Sequence, residues 1–185
     1  MSLVRLPRVT EILTATGLAP DFGMVPADVL EAARARGAAV HAAAEGDHYG
    51  YAVELAPDAA PYLDAYRKFV AESGHEPLVS EFEVVHAGWG YCGHPDRLGW
   101  LVGKRCLLDY KCTESPDLAY AGRQLALYRI AWNAQHPTEP VESIAVLQLK
   151  SDGTYRLHEI APADHEQVAL AAVVVYHARQ QEGRL

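Results

Sequence analysis

Apolar positions recur at helical spacing over the first part of the chain and at strand spacing after residue 74. VTEILTATGL predicts a short helix with Thr10 as its cap, and Pro20 to Pro26 predict a loop. The Ala-rich segment PADVLEAARARGAAVHAAAEG predicts a longer helix, begun by Pro26 and Asp28 and stopped at Gly46. Gly37 inside it costs about 1 kcal/mol relative to Ala and marks a break or a close approach of another backbone. Asp47 to Pro61 read as a loop, and PYLDAYRKFVAESG as a helix with Tyr62, Tyr66, Phe69 and Val70 on one face.

LVSEFEVVH then alternates as a strand, and Gly88, Gly90 and Gly93 punctuate the approach to two more, DRLGWLV and RCLLDYKCT. SPDLAYAGRQLALYRIAWNAQH is an amphipathic helix, opened by Ser115 and Asp117 and closed by Pro137. SIAVLQLK and TYRLHEIA flank a short SDG turn and predict a hairpin, and a last helix follows Pro162. The pattern predicts an α/β chain: a central mixed five-stranded sheet flanked by helices, in a single domain over 1–185. Residues 1–74 are mainly helical, 78–161 carry the sheet with an inserted helix at 116–136, and 162–182 form the C-terminal helix.

With 185 residues, half of them hydrophobic and 22% charged, the chain is of ordinary globular composition and long enough for one core. It has no apolar run of about 20 residues, and its N-terminus lacks the features of a signal peptide. A cytoplasmic protein with no membrane association is expected. Cys92, Cys106 and Cys112 form no CxxC pair, so reduced, partly buried thiols are expected in place of a disulfide framework or zinc ribbon. The net charge of −8 argues against a nucleic-acid partner, but its distribution is uneven. Segments 1–45, 46–96, 97–129 and 130–185 carry −1, −7, +3 and −3, so one basic stretch lies within an acidic chain.

That stretch follows Asp96 and holds Asp109 and Lys111. If the hairpin turns at Val102-Gly103, residues whose numbers sum to 205 face one another, so Leu98 meets Leu107 and Asp96 meets Asp109. Opposed side chains lie about 4.5–5.5 Å apart and like charges there repel. A divalent cation reverses that sign, because clustered oxygen ligands suit Mg²⁺ or Mn²⁺. Lys111, two residues on, shares the face of Asp109 and can place an ammonium beside an attacking water or a phosphate. The ordinary reading is two exposed aspartates at frayed strand ends and a surface lysine. Elsewhere, His41 and Glu45 lie four apart on the predicted helix, as do Gln124 and Tyr128, spacings found equally in surface pairs and in helix packing. Glu81 alternates with Glu83 and reads as an edge-strand charge.

Taken in order, R-G-x-x-x-H-x-x-x-E (Arg36 to Glu45), G-x-x-D-R (Gly93 to Arg97), D-x-K (Asp109 to Lys111) and Q-x-x-x-Y (Gln124 to Tyr128) resemble the PD-(D/E)XK nuclease superfamily, in its RecB-like and phage-type exonuclease branch. The resemblance implies a restriction-endonuclease-like core and a Mg²⁺- or Mn²⁺-dependent deoxyribonuclease with one or two ions, an exonuclease in preference to an endonuclease. DNA ends, single- or double-stranded, are the implied partner, in recombination or repair, with a single-strand annealing or recombination protein as a further one. The implied metal ligands are His41, Asp96, Asp109 and the main-chain carbonyl of Tyr110. Lys111 positions or helps to deprotonate the attacking water and stabilises phosphate charge. Glu45, Gln124, Tyr128, Arg97 and Arg123 are candidates for support of the site or for DNA contacts, and Glu81 stands lowest among the candidate residues.

Relatives with an iron–sulfur cluster use four cysteines; this chain has three, so no cluster is expected. The compact form resembles phage-encoded enzymes, which would place it in a bacterial host cytoplasm. Two other classes compete with this reading. A binding or assembly module that has lost catalysis has no physical reason to keep repelling carboxylates together. A zinc hydrolase would need a spacing such as H-E-x-x-H, which His41, His48, His94 and His136 do not give.

Overall fold

The computed structural model describes residues 5–185; the first four residues of the N-terminal segment considered above lie outside the described residues. Three helices come first, α1 (Val9–Ala15), α2 (Ala27–Tyr49) and α3 (Ala60–Ser73). Strands β1 (Glu76–Ser80), β2 (Val84–His86), β3 (Tyr91–Gly93), β4 (Arg97–Leu101) and β5 (Lys104–Lys111) follow. Helix α4 (Leu118–Gln135), the hairpin β6 (Ser143–Leu149) and β7 (Tyr155–Ile160), and α5 (Ala163–Gln181) complete the chain. The sheet order is β1-β4-β5-β6-β7, mixed because β5 and β6 run parallel across α4 while the other neighbours are antiparallel. This is the five-stranded, helix-flanked α/β sheet that the pattern predicts.

Alternation along β5 sends side chains to two cores. Leu107 joins Leu98, Ile144 and Val146 under α1, α4 and α5. Cys106, Leu108 and Tyr110 join Ala145 and Leu147 under α2 and α3, where Tyr62, Tyr66 and Phe69 form the buried face expected of α3. With two strands on either side, β5 is the centre of the sheet, and its end is where both layers meet.

The β4–β5 turn falls at Val102-Gly103, and the ladder pairs Leu98 with Leu107 and Arg97 with Leu108, as the sum of 205 requires. Both turn residues have positive φ, 50° at Val102 and 72° at Gly103, the backbone of a two-residue hairpin turn with the right twist. Glycine adopts this freely; valine does so under strain.

Several boundaries differ from expectation. LVSEFEVVH is not one strand: at Glu81 the backbone enters the left-handed region (φ 48°), the Glu81 N–H donates to the Asp96 carbonyl (3.0 Å), and the chain leaves the sheet. Its second half, β2, pairs with β3 in a separate two-stranded sheet. Thr10 does not cap α1; the cap position is Arg8, whose N–H donates to the Glu11 carboxylate (2.7 Å). Helix α2 runs unbroken through Gly37, with no atom within 4 Å of where a Cβ would stand, so that glycine marks neither a break nor a close approach. The close approach is at Gly46, where a Cβ would lie 2.6 Å from the Tyr51 carbonyl oxygen, and the helix continues past it to Gly50. Asp117 caps α4 as expected, accepting from the Tyr120 N–H at 2.8 Å. Among the described residues no helix is long and apolar enough to cross a membrane.

Candidate metal centre

His41 projects from α2 toward the end of β5, where its Nε2–H donates to the Tyr110 carbonyl (3.2 Å). This hydrogen bond aims Nδ1 the other way, at Glu81 (3.5 Å) and Asp96 (3.6 Å). The left-handed turn at Glu81 delivers one carboxylate. The second, Asp96, is held by the Tyr110 N–H, which donates to its Oδ2 at 2.7 Å. One ligand atom from each of His41, Glu81 and Asp96 falls within 4.8 Å of the others.

An imidazole nitrogen facing two carboxylates can hold a divalent cation. The hydrogen bond on the opposite ring nitrogen fixes the tautomer such a ligand needs. Without a cation the same geometry favours a proton. Burial works against the charged ring, but Asp96, Glu81 and Asp109 together outweigh it and push His41 up to about 9. His41 therefore carries the compensating charge itself at neutral pH and must lose it to become a ligand.

Of the ligand set implied by the resemblance, His41 and Asp96 converge, and Glu81, ranked lowest in the sequence, joins them. Asp109 is not one of these three converging ligands. It is buried, and the Lys111 Nζ stands 2.9 Å from its Oδ1 and 2.7 Å from its Oδ2. Burial pushes the Asp109 carboxyl up and the Lys111 ammonium opposes it. Burial also works against the ammonium, but Asp109 and Asp96 more than offset this and hold Lys111 above its ordinary value. The short contact and the partial exposure of Lys111 favour the ionised pair. A lysine so held places a positive charge at the end of β5 beside the carboxylates. The Tyr110 carbonyl, expected as a further ligand, accepts from His41 Nε2.

Arg97, Gln124 and Tyr128 are buried. Arg97 has no exposed surface. Its Nε donates to the Tyr110 hydroxyl (2.9 Å), and Nη2 donates to the Tyr66 hydroxyl (2.9 Å) and the Ala44 carbonyl (3.0 Å). A guanidinium thus ties β4, β5, α2 and α3 together beneath the cluster. Gln124 Nε2 donates to the Tyr128 hydroxyl (2.8 Å), and both side chains are buried, with neither bonded to Lys111. Burial, with Gln124 pulling the other way, raises the Tyr128 hydroxyl, and Asp96 and Asp109 add to the rise, which places it in their field. Arg123 donates to the Leu18 carbonyl (3.4 Å).

A cleft of about 1050 Å³ opens in front of the cluster, between α2 and the segment that joins β5 to α4. His41, Glu45, Glu81 and Lys111 lie in its walls. Glu45 thus faces the cleft one helical turn from His41, outside the three converging ligands. Sequence reasoning passed over three further wall residues, Phe22, Arg34 and Tyr120. Arg34 had a signal, seven residues before His41 and so on the same helical stripe; Phe22 and Tyr120 had none.

No protein-family model matches the chain, and no curated protein sequence matches it. Among solved structures, it is similar to an alkaline exonuclease from Laribacter hongkongensis, with TM-score 0.44 and 13% identity over 71% of this chain and 74% of that one. It is similar to the same exonuclease in complex with dAMP, with TM-score 0.47 and 11% identity over 97% and 94%. It is also similar to a protein described as SSO0001, with TM-score 0.37 and 17% identity, spanning 65% of this chain and 61% of that one. Likenesses this distant do not bear on what this chain does.

Proposed function

We propose that this protein is a Mg²⁺- or Mn²⁺-dependent deoxyribonuclease that removes nucleotides from DNA ends. The observation that carries this reading is the meeting of His41, Glu81 and Asp96 within 4.8 Å, with His41 and Glu81 in the wall of a cleft that also holds Lys111. The ordered motifs from Arg36 to Tyr128 support the same chemistry and, by resemblance, a role in recombination or repair.

A divalent cation held by these three side chains would supply Lewis acidity toward a phosphoryl oxygen and lower the pKa of a water beside it. The chain does the rest. His41, with Nδ1 free of its proton, would be one of the residues that hold the ion, and the Tyr110 carbonyl keeps the ring oriented through Nε2–H. Asp109 fixes the Lys111 ammonium, which stays protonated and offers its charge to the phosphate as negative charge builds in the transition state. Arg97 keeps β4, β5 and α2 in register behind these groups.

The test is digestion of end-labelled linear duplex, single-stranded and covalently closed circular DNA with Mn²⁺, Mg²⁺ or a chelator, for wild type beside Glu81→Gln and Lys111→Met. Metal-dependent loss of linear but not circular DNA, absent in both variants, is the expected result. Degradation of the circle would make the enzyme an endonuclease, and a folded wild type inert on all three substrates would overturn the proposal.

A further inference from the structure

We infer that the outer face of α5 pairs with the same face of a second copy of this chain, the two helices antiparallel about a two-fold axis beside Ala171. The pairing goes beyond the nuclease reading and does not depend on it.

Helix α5 is apolar on two sides. On the inner side Ala169, Ala172 and Val173 are buried in the core that α1 and α4 share, with Leu170 and Tyr176 packed against it. On the outer side Val168, Ala171 and Val175 are exposed, the two valines at 43% and 41%, with Val174 exposed beside them. A helix that is apolar all round is one that is covered all round. Single exposed valines carry no meaning, but three within two turns of one helix mark a contact surface.

The charges at the ends of this surface select the partner. Asp164, Val168, Ala171, Val175 and Arg179 follow one another at the spacing of a single helical stripe, and each is exposed. The stripe is acidic where the helix starts, apolar in the middle and basic where it ends. Glu166 and Glu182 are engaged locally, by Arg129 at 2.6 Å and Arg184 at 3.0 Å. Arg179 donates through Nη1 to the Ala15 carbonyl at 2.7 Å, which uses one of the five N–H groups of a guanidinium.

When two such stripes lie antiparallel, residues whose numbers sum to 343 face one another, so Val168 meets Val175 and Asp164 meets Arg179. The two-fold axis repeats each pair, giving valines in the middle and an ion pair at either end of a contact about 22 Å long. Ala171, next to the axis, offers only a methyl group, so the helices can approach to the short end of the ~8–10 Å range of helix packing. A parallel pair would set Asp164 against Asp164 and Arg179 against Arg179, like on like. No residue of α5 lines the cleft, so the contact is separate from the candidate metal centre.

The test is sedimentation velocity of the full chain from about 1 to 200 µM, the range of a modest interface, for wild type, Asp164→Arg, Arg179→Asp, the double variant with both changes, and Val175→Gln. Wild type should pass from monomer to dimer. Each charge reversal places like charges together at both ends and should raise Kd at least about tenfold, and Val175→Gln, which leaves every charge in place, should raise it as well. The double variant restores both ion pairs with their signs exchanged and should recover the wild-type Kd to within about threefold. Each reversal also opposes the helix dipole, so the monomeric double variant should melt below either single one, and recovery of the dimer then does not come from recovery of the fold. Circular dichroism checks that every variant is folded. A wild type that stays monomeric throughout would overturn the inference and leave the face to a different protein. A dimer that every variant leaves intact, or one that a folded double variant fails to recover, would overturn it too.

Discussion

His41→Asn removes the one group whose charge the metal centre exchanges for an ion, and its effect on stability has a definite sign in pH. In the folded chain His41 lies at about 9, against 6.5 for an unperturbed imidazole. Because the folded value is the higher one, the stabilisation is fully present below about pH 6.5 and is lost as pH rises through about 9. The difference corresponds to about 3 kcal/mol at ~1.4 kcal/mol per pKa unit. A quarter of the side chain is open to solvent, and screening brings this to roughly 1–2 kcal/mol. For a chain of this size that is about 2–8 °C in Tm. Thermal melts in chelator from pH 6 to pH 9.5 should therefore show wild type losing this margin relative to His41→Asn as the pH rises. The same proton must leave when a cation binds, so titration of Mn²⁺ at pH 7.5 in buffers of different ionisation enthalpy should report release of about one proton. Parallel melting curves for the two proteins across the window, or Mn²⁺ binding with no proton released, would refute the reasoning.

Lys111→Met should abolish cleavage and, by leaving the buried Asp109 without its partner, lower stability by about 3 kcal/mol; adding Asp109→Asn should recover much of the stability and none of the activity, as urea unfolding and digestion of labelled DNA would show. Arg97→Met should cost about 3 kcal/mol or more, since two tyrosine hydroxyls and the Ala44 carbonyl lose a charged donor, while Tyr66→Phe, which removes one of these bonds, should cost about 1 kcal/mol; equal losses in denaturant melts would mean that Arg97 ties nothing together. Val102→Asn replaces a strained β-branched residue by one that tolerates positive φ, and should raise stability by about 1 kcal/mol with cleavage unchanged; a lower Tm would show that the valine is not strained.

The hairpin was legible because its information is local. A turn at Val102-Gly103 fixes every pair from Leu101 and Lys104 back to Arg97 and Leu108 by arithmetic. β-rich runs bounded by turn residues likewise identified the strands of the sheet. They could not reveal the break at Glu81, because no glycine or proline interrupts SEFEV; the backbone turns there to meet the Asp96 carbonyl, fifteen residues later. Glu81 therefore looked like one of two alternating edge charges, when the turn points it at His41. The D-x-K spacing shows that Asp109 and Lys111 share a strand face, but whether the aspartate faces an ion or its own lysine depends on burial, which the tripeptide does not encode. The role of Arg97 was hidden for the same reason, since a single arginine after an aspartate carries no mark of being buried under two tyrosines from other elements.

The polar groups of the metal centre come from α2, the end of β1, the start of β4 and the last residues of β5, so His41 and Lys111 are seventy residues apart in sequence. No short segment holds the constellation, and most of its assembly cost is closure of long loops. While the chain is being synthesised, or when it begins to melt, the site therefore has no partial version. Asp109 and Lys111 lie in the middle strand, whose amides should exchange with solvent only on global opening, whereas Glu81 directly follows edge strand β1, so fraying there takes one carboxylate from the cluster. Loss of function on heating should then run ahead of loss of the whole fold, which lets turnover serve as a reporter of the sheet edge.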